Sequence, residues 1–107
     1  NMTNIKEIWI EAELWPKDQW NYEDGNTDVI VTLDNKKRYV ATFFTYQNIA
    51  SLRQTYRKTG ECFYGKYFWA SDLVLIDNCS KESIEEVIKH LIEEEEFFDA
   101  FNELMAE

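Results

Sequence analysis

The chain has 107 residues, of which 45% are hydrophobic and 16% are aromatic, and its formal net charge is −10. This composition excludes a disordered chain, and the length favours one domain that spans residues 1–107. The negative charge disfavours direct binding to nucleic acid and to anionic membranes, because both present negative phosphates.

Neither a membrane span nor a disulfide framework is indicated. The longest apolar runs have the length of a strand, and the N-terminus lacks a basic region followed by an apolar one. We therefore expect a cytoplasmic protein. The two cysteines, Cys62 and Cys79, are too few for a disulfide framework, and we expect both to be free thiols.

The first half of the chain predicts three strands. In "KEIWIEAELW" apolar and polar residues alternate, and the apolar ones share one face of a strand: Ile8, Ile10, Ala12 and Leu14. "DVIVTL" (residues 28–33) and "RYVATFFTY" (residues 38–46) are the second and third strands. The short polar turn between them predicts an antiparallel hairpin.

A helix and a fourth strand follow the hairpin. Helical spacing of apolar residues predicts a helix from Thr45 or Tyr46 to Lys58, with Gly60 as the left-handed residue beyond its end. "FWASDLVLID" (residues 68–77) is dense in apolar residues, so we expect it to form a central strand.

The last segment predicts a long acidic C-terminal helix that begins after Ser80 as its N-cap. Four consecutive glutamates, Glu93, Glu94, Glu95 and Glu96, interrupt the apolar stripe, so we expect the helix to be kinked or split there. The resulting order, βββαβα, predicts an α+β fold. In this fold an antiparallel sheet of about four strands has its helices packed on one face.

The negative charge is concentrated near the C-terminus. Residues 80–107 hold ten acidic and two basic residues, net −8, whereas residues 1–79 have a net charge of −2. Such a surface attracts a basic protein partner. Simple solubility explains an acidic surface equally well at this point.

Residues for catalysis or metal binding are sparse. A small enzyme that uses Cys62 with His90, the only histidine, is an alternative hypothesis, but a lone histidine on an amphipathic helix is typical of a structural role. Glu86, His90 and Glu94 share one helix face without the second motif that a carboxylate-bridged di-iron site needs. We therefore predict no catalytic residue, no metal and no cofactor.

Aromatic residues close to acidic ones are the candidate partner-binding residues. Large aromatic side chains supply the contact area on which protein interfaces depend, although such residues also fill cores. We interpret Phe43, Phe44 and Phe68 as core residues, and we expect Trp15, Trp20 and Tyr22 to be exposed. The predicted partner-binding residues are Trp15, Trp20, Tyr22, Glu23, Asp24, Tyr67, Trp69 and Asp72.

Three stretches carry a resemblance to a known family: "DVIVTLDNKKRYVATFFTYQNI", "KTGECFYGKYFWASDLVLIDNCS" and "IEEVIKHLIEEEEF". Over most of its length the chain resembles small bacterial immunity proteins of contact-dependent growth inhibition and related polymorphic toxin systems. The resemblance implies a cytoplasmic inhibitor that binds the toxic C-terminal domain of an effector, often a nuclease. We expect the chain itself to be a monomer or a weak dimer. An acidic protein that dimerises through its last helix and Phe97, Phe98 and Phe101 is a further alternative.

Overall fold

A computed structural model of the protein describes residues 3–105. The strands are β1 (Ile5–Ile10), β2 (Asn26–Leu33), β3 (Arg38–Thr45), β4 (Leu73–Ile76) and β5 (Asn102–Glu103). The helices are α1 (Tyr46–Thr59), α2 (Glu61–Gly65), α3 (Lys81–Glu93) and α4 (Phe97–Ala100), and two short 3-10 helices cover Glu11–Leu14 and Lys17–Gln19. The α+β class is confirmed. None of the helices within residues 3–105 has the length and apolar character needed to cross a membrane.

The sheet is built around β3. Its order is β1-β2-β3-β4, and β5 pairs with the same edge of β3 that β4 uses further along. Three of these pairings are antiparallel, but β3 and β4 run parallel, with Thr42 opposite Leu73. The predicted central position of β4 is therefore wrong. The connection through α1 returns the chain to the outer side of β3, which leaves β4 at an edge.

The hydrophobic core lies on one face of the sheet, under α3 and α4. Alternate residues of the strands point into it, and Phe43 is fully buried there against Phe101, with ring centroids 6.0 Å apart. Strand residues that face the other way, such as Trp9, Ile30 and Val40, lie opposite one another in register and are half-buried. The core consists of Ile10, Ala12, Val29, Val31, Leu33, Ala41, Phe43, Ile76, Cys79, Ile84, Ile88, Phe97 and Phe101.

The first strand is shorter than the alternating pattern predicts. It ends at Ile10, and the chain then winds into the 3-10 helix Glu11–Leu14. The cause is a buried side chain: the Thr27 hydroxyl accepts a hydrogen bond from the Ala12 N–H at 2.9 Å, which draws the backbone out of the strand path. In a 3-10 helix the side-chain direction repeats every three residues, whereas in a strand it repeats every two. Leu14 consequently points to solvent and is 72% exposed.

The prediction of one long acidic C-terminal helix is wrong, but the split expected at the four glutamates is confirmed. Helix α3 has 13 residues and ends at Glu93, and α4 begins only at Phe97. Glu95 adopts a left-handed conformation (φ 59°), which breaks the helix within the four glutamates. The predicted N-cap is present, since the Ser80 hydroxyl accepts a hydrogen bond from the Ser83 N–H at 3.2 Å.

Residues 46–69, which we call the arm, lie outside the core. Helix α1 begins after a cap at Thr45, whose hydroxyl accepts from the Asn48 N–H at 3.0 Å, and it ends as predicted at a left-handed Gly60 (φ 90°). No residue of the arm belongs to the core. The molecule measures 47 × 30 × 28 Å and has a Cα radius of gyration of 14.9 Å, above the value of about 13 Å typical of a 100-residue globule.

The chain reverses after α1 through a left-handed turn, α2. Cys62, Phe63 and Tyr64 all have positive φ, between 50° and 59°, a conformation that costs about 1–2 kcal/mol for each residue with a side chain. Gly65 follows at φ 75°, packed against α1 so closely that an added Cβ would lie 2.8 Å from the Arg53 carbonyl oxygen. The turn therefore depends on glycine at position 65.

We expect Gly65→Ala to destabilise the protein more than Gly60→Ala. Both substitutions force alanine into a left-handed conformation, at about 1 kcal/mol or more, but only the Cβ at position 65 would collide with backbone. Gly60 has room for a Cβ at 3.6 Å from the Tyr64 ring. Urea unfolding of the two variants measures the difference, and equal losses would contradict this account of the turn.

Candidate protein-binding surfaces

Residues 11–24, which we call the acidic loop, present apolar side chains among acids. The loop holds five acidic residues and one lysine, net −4. Its most exposed apolar side chain is Leu14, and Trp15 (37%) and Tyr22 (50%) are also exposed. The predicted exposure of Trp15 and Tyr22 is confirmed. Leu14 was missed because the alternating pattern assigned it to the same face as buried Ile10.

Trp20 does not share this exposure. Its ring is half-buried, packs against the core and meets Tyr22 edge-on, with centroids 4.9 Å apart. Its Nε1 is buried, and among residues 3–105 it has no hydrogen-bond acceptor. The expectation that Trp20 is exposed is thus wrong. Trp20 anchors the loop to the core and supports Tyr22.

Asp24 fixes the end of the acidic loop to α1. One carboxylate oxygen accepts a hydrogen bond from the Asn48 side-chain amide at 2.9 Å, and the other accepts from the Ser51 hydroxyl at 2.7 Å. Asn48 in turn accepts from the Asn26 amide at 2.9 Å. With both oxygens engaged inside the protein, Asp24 positions the loop. The exposed Glu23 is the carboxylate there that faces solvent.

The arm carries a second group of exposed aromatic residues. Trp69 is the most exposed aromatic residue of this group (69%). Lys66 Nζ lies 4.4 Å from the centre of the exposed Phe63 ring, in cation–π contact. Sequence reasoning found Tyr67 and Trp69 but missed the two residues that the left-handed turn exposes. The exposed aromatic side chains of residues 61–69 are Phe63, Tyr64, Tyr67 and Trp69.

The charge of the arm is opposite to that of the rest of the chain. It contains one acid, Glu61, and four bases, net +3, which leaves −13 for the remaining residues. The prediction that exposed aromatic residues lie among acids therefore holds for the acidic loop and fails for the arm. A charge count over short segments of the sequence would have distinguished the acidic loop from the arm. The four bases, all exposed, are Arg53, Arg57, Lys58 and Lys66.

The two groups of predicted residues lie on different sides of α1. Asn48 and Ser51 contact the acidic loop, whereas Ile49 and Tyr56 line a cavity of about 170 Å³ with residues 65–68. Burial raises the pKa of Tyr56, helped by the nearby Glu61 and Cys62.

Asp72 stands apart from both groups. It is half-buried with a positive φ of 52°, and its carbonyl accepts from the Thr42 N–H at 2.9 Å, so it starts β4.

The structure does not pair Cys62 with His90. Cys62 is a half-buried thiol in the left-handed turn, and His90 lies exposed on α3, with Nδ1 3.9 Å from a Glu93 carboxylate oxygen. No hydrogen bond joins these two residues within the described chain. Residues 3–105 also contain no group of three or more His, Cys, Asp or Glu side chains arranged to hold a metal ion.

Comparison of the chain with protein-family models, with curated proteins and with solved structures found no match. The resemblance to immunity proteins therefore stays a prediction.

The buried thiol of Cys79 makes stability depend on pH at the alkaline end. Burial raises the pKa of Cys79 to about 11, so the folded protein favours the neutral thiol. The unfolded thiol ionises near pH 8.5, and stability is lost as the pH rises from there to about 11, by about 3 kcal/mol. We expect the unfolding free energy of the wild type to fall more than that of Cys79→Ala between about pH 8 and pH 11. Urea titrations in which the unfolding free energies of the wild type and Cys79→Ala fall equally with pH would contradict this assignment.

Proposed function

We propose that the protein is an immunity protein that binds and neutralises a basic toxin domain, with the acidic loop as its principal contact. The observation that carries the proposal is the set of exposed apolar side chains, Leu14, Trp15 and Tyr22, within a loop of net charge −4. Protein interfaces combine such anchors with complementary charge at their rim.

The chemistry of a nuclease toxin fits this surface. A nuclease binds its substrate in a groove lined with cations for the phosphates, and carboxylates such as Glu13 and Glu23 can take the place of those phosphates. Leu14 and Trp15 would then add apolar contact area that a substrate backbone does not offer. The loop is held in place for this role by Ala12 and Asp24, whose hydrogen bonds anchor its two ends.

The acidic remainder of the chain supports the same partner through long-range attraction. A charge of −13 outside the arm raises the association rate with a basic domain, and the effect falls with ionic strength. The free edge of β4 offers a further contact. The Asp72 carbonyl points to β3, so the alternation of the strand turns the backbone groups of Leu73 and Leu75 outward, where a partner strand could pair.

The test uses the C-terminal domain of the effector encoded beside this gene. We expect a stable complex, and Trp15→Ala to weaken it by about tenfold or more, as expected of an interface anchor. Glu13→Lys with Glu23→Lys should slow association by about tenfold at low salt. Biolayer interferometry measures both effects.

The matched control is Asp34→Lys with Glu103→Lys, which makes the same charge change at exposed positions outside the acidic loop. We expect it to slow association less than the loop variant. Absence of any complex with the wild type would refute the proposed function, and equal effects of the two double variants would remove the acidic loop from it.

A further inference from the structure

The junction of α3 and α4 contains a cavity with a mixed apolar and polar lining and an acidic rim. Its volume is about 220 Å³, and its lining consists of Thr3, Ile92, Glu95, Phe97 and Phe98. We call it the C-terminal pocket. An apolar cavity of about 150 Å³ is known to accept benzene, so this pocket has room for one aromatic ring.

The rim of the C-terminal pocket is the most acidic part of the chain. Residues 93–99 hold five acids and no base, and the glutamates 93–96 are all exposed. Phe98 is 55% exposed beside them and packs edge-on against Tyr39, with centroids 5.2 Å apart. Phe97 and Phe101 are buried in the core, so the prediction that all three phenylalanines dimerise is wrong, and Phe98 alone is available.

The arm offers the complementary features. It presents exposed aromatic side chains, foremost Trp69, and the exposed cations Arg53 and Lys66 line one cavity with Tyr67 and Phe68 just before it. An aromatic ring near cations fits a pocket that is lined in part by apolar side chains and flanked by carboxylates, since the contact removes apolar surface from water and pairs opposite charges at the edge. Both halves of this match belong to the same chain.

We propose that two copies of the protein associate reciprocally, with the arm of each copy placing Trp69 in the C-terminal pocket of the other. Arg53 and Lys66 then lie against the glutamates 93–96 of the neighbouring copy. The arrangement is a closed twofold dimer, in which the same two surfaces meet twice.

The association is weak for electrostatic reasons. Exposed ion pairs contribute little to binding because water and salt screen them, and the two acidic bodies repel one another. We expect a dissociation constant on the order of 100 μM at about 0.1 M salt.

Sedimentation equilibrium of the purified chain, without any toxin domain, tests the association directly. The average mass should rise towards that of a dimer as the concentration approaches about 1 mM, well above the expected constant. Trp69→Ala should weaken the dimer by about tenfold without loss of stability, because its side chain is exposed.

A charge swap identifies the two surfaces. The arm variant, Arg53→Glu with Lys66→Glu, and the pocket variant, Glu94→Lys with Glu95→Lys, should each be monomeric alone. Mixed together, they should form a heterodimer, because each reversed surface meets a reversed partner. This recovery cannot arise from misfolding. Lys36→Glu with Lys37→Glu, an equal charge change in the exposed β2–β3 turn, should leave the dimer intact.

Three outcomes would overturn the proposal. They are a wild type that stays monomeric up to about 1 mM, variants that dimerise unchanged, and a mixture that shows no heterodimer. If the wild type is monomeric and the arm variant instead loses a toxin domain that the wild type binds, the arm serves that partner. The proposed function would then stand while the self-association fails.

Discussion

The positions of both exposed surfaces depend on the hydrogen bonds of Thr45 at the end of β3. Its buried hydroxyl accepts from the N–H of Gly25 at 3.2 Å and of Asn48 at 3.0 Å, and its own N–H donates to the Gly25 carbonyl at 3.0 Å. The bonds to Gly25 fix the point where the acidic loop rejoins the sheet, and the bond to Asn48 caps α1. Because Thr45 is fully buried in the middle strand, core packing sets the direction in which the arm leaves the sheet.

The parts of the fold that follow from neighbouring residues could be predicted from the sequence. The β2–β3 hairpin, the cap at Ser80 and the left-handed Gly60 each depend on a few adjacent residues. The wrong predictions concern features that depend on residues far apart in the sequence. Thr27 ends β1 by bonding to Ala12, fifteen residues earlier, and the edge position of β4 depends on the path of the whole connection through α1. The spacing of apolar residues along the sequence indicates neither the end of β1 nor the edge position of β4.

The exposure of the candidate site residues could likewise be predicted in part. Residues 67–70 are exposed and half-buried in strict alternation, as a strand pattern predicts, although they lie outside any strand. Trp20 could not be assigned from sequence, because the loop folds its ring back onto the core. The exposure of Phe63 and Tyr64 follows from positive φ angles that non-glycine residues seldom adopt. Backbone strain of this kind persists only where surrounding contacts determine it, here the packing of Gly65 on Arg53.

The separation of charge decides which partners each surface accepts. A uniformly basic groove is attracted to the acidic loop and repelled by the arm, so on charge grounds a nuclease domain meets the loop and not the arm. Conversely, the C-terminal pocket and the arm attract each other only at short range, because the net charge of −10 keeps two copies apart at distances beyond the screening length. Many aromatic side chains are exposed on both surfaces, and the sign of the charge beside each aromatic group selects what can pack against it.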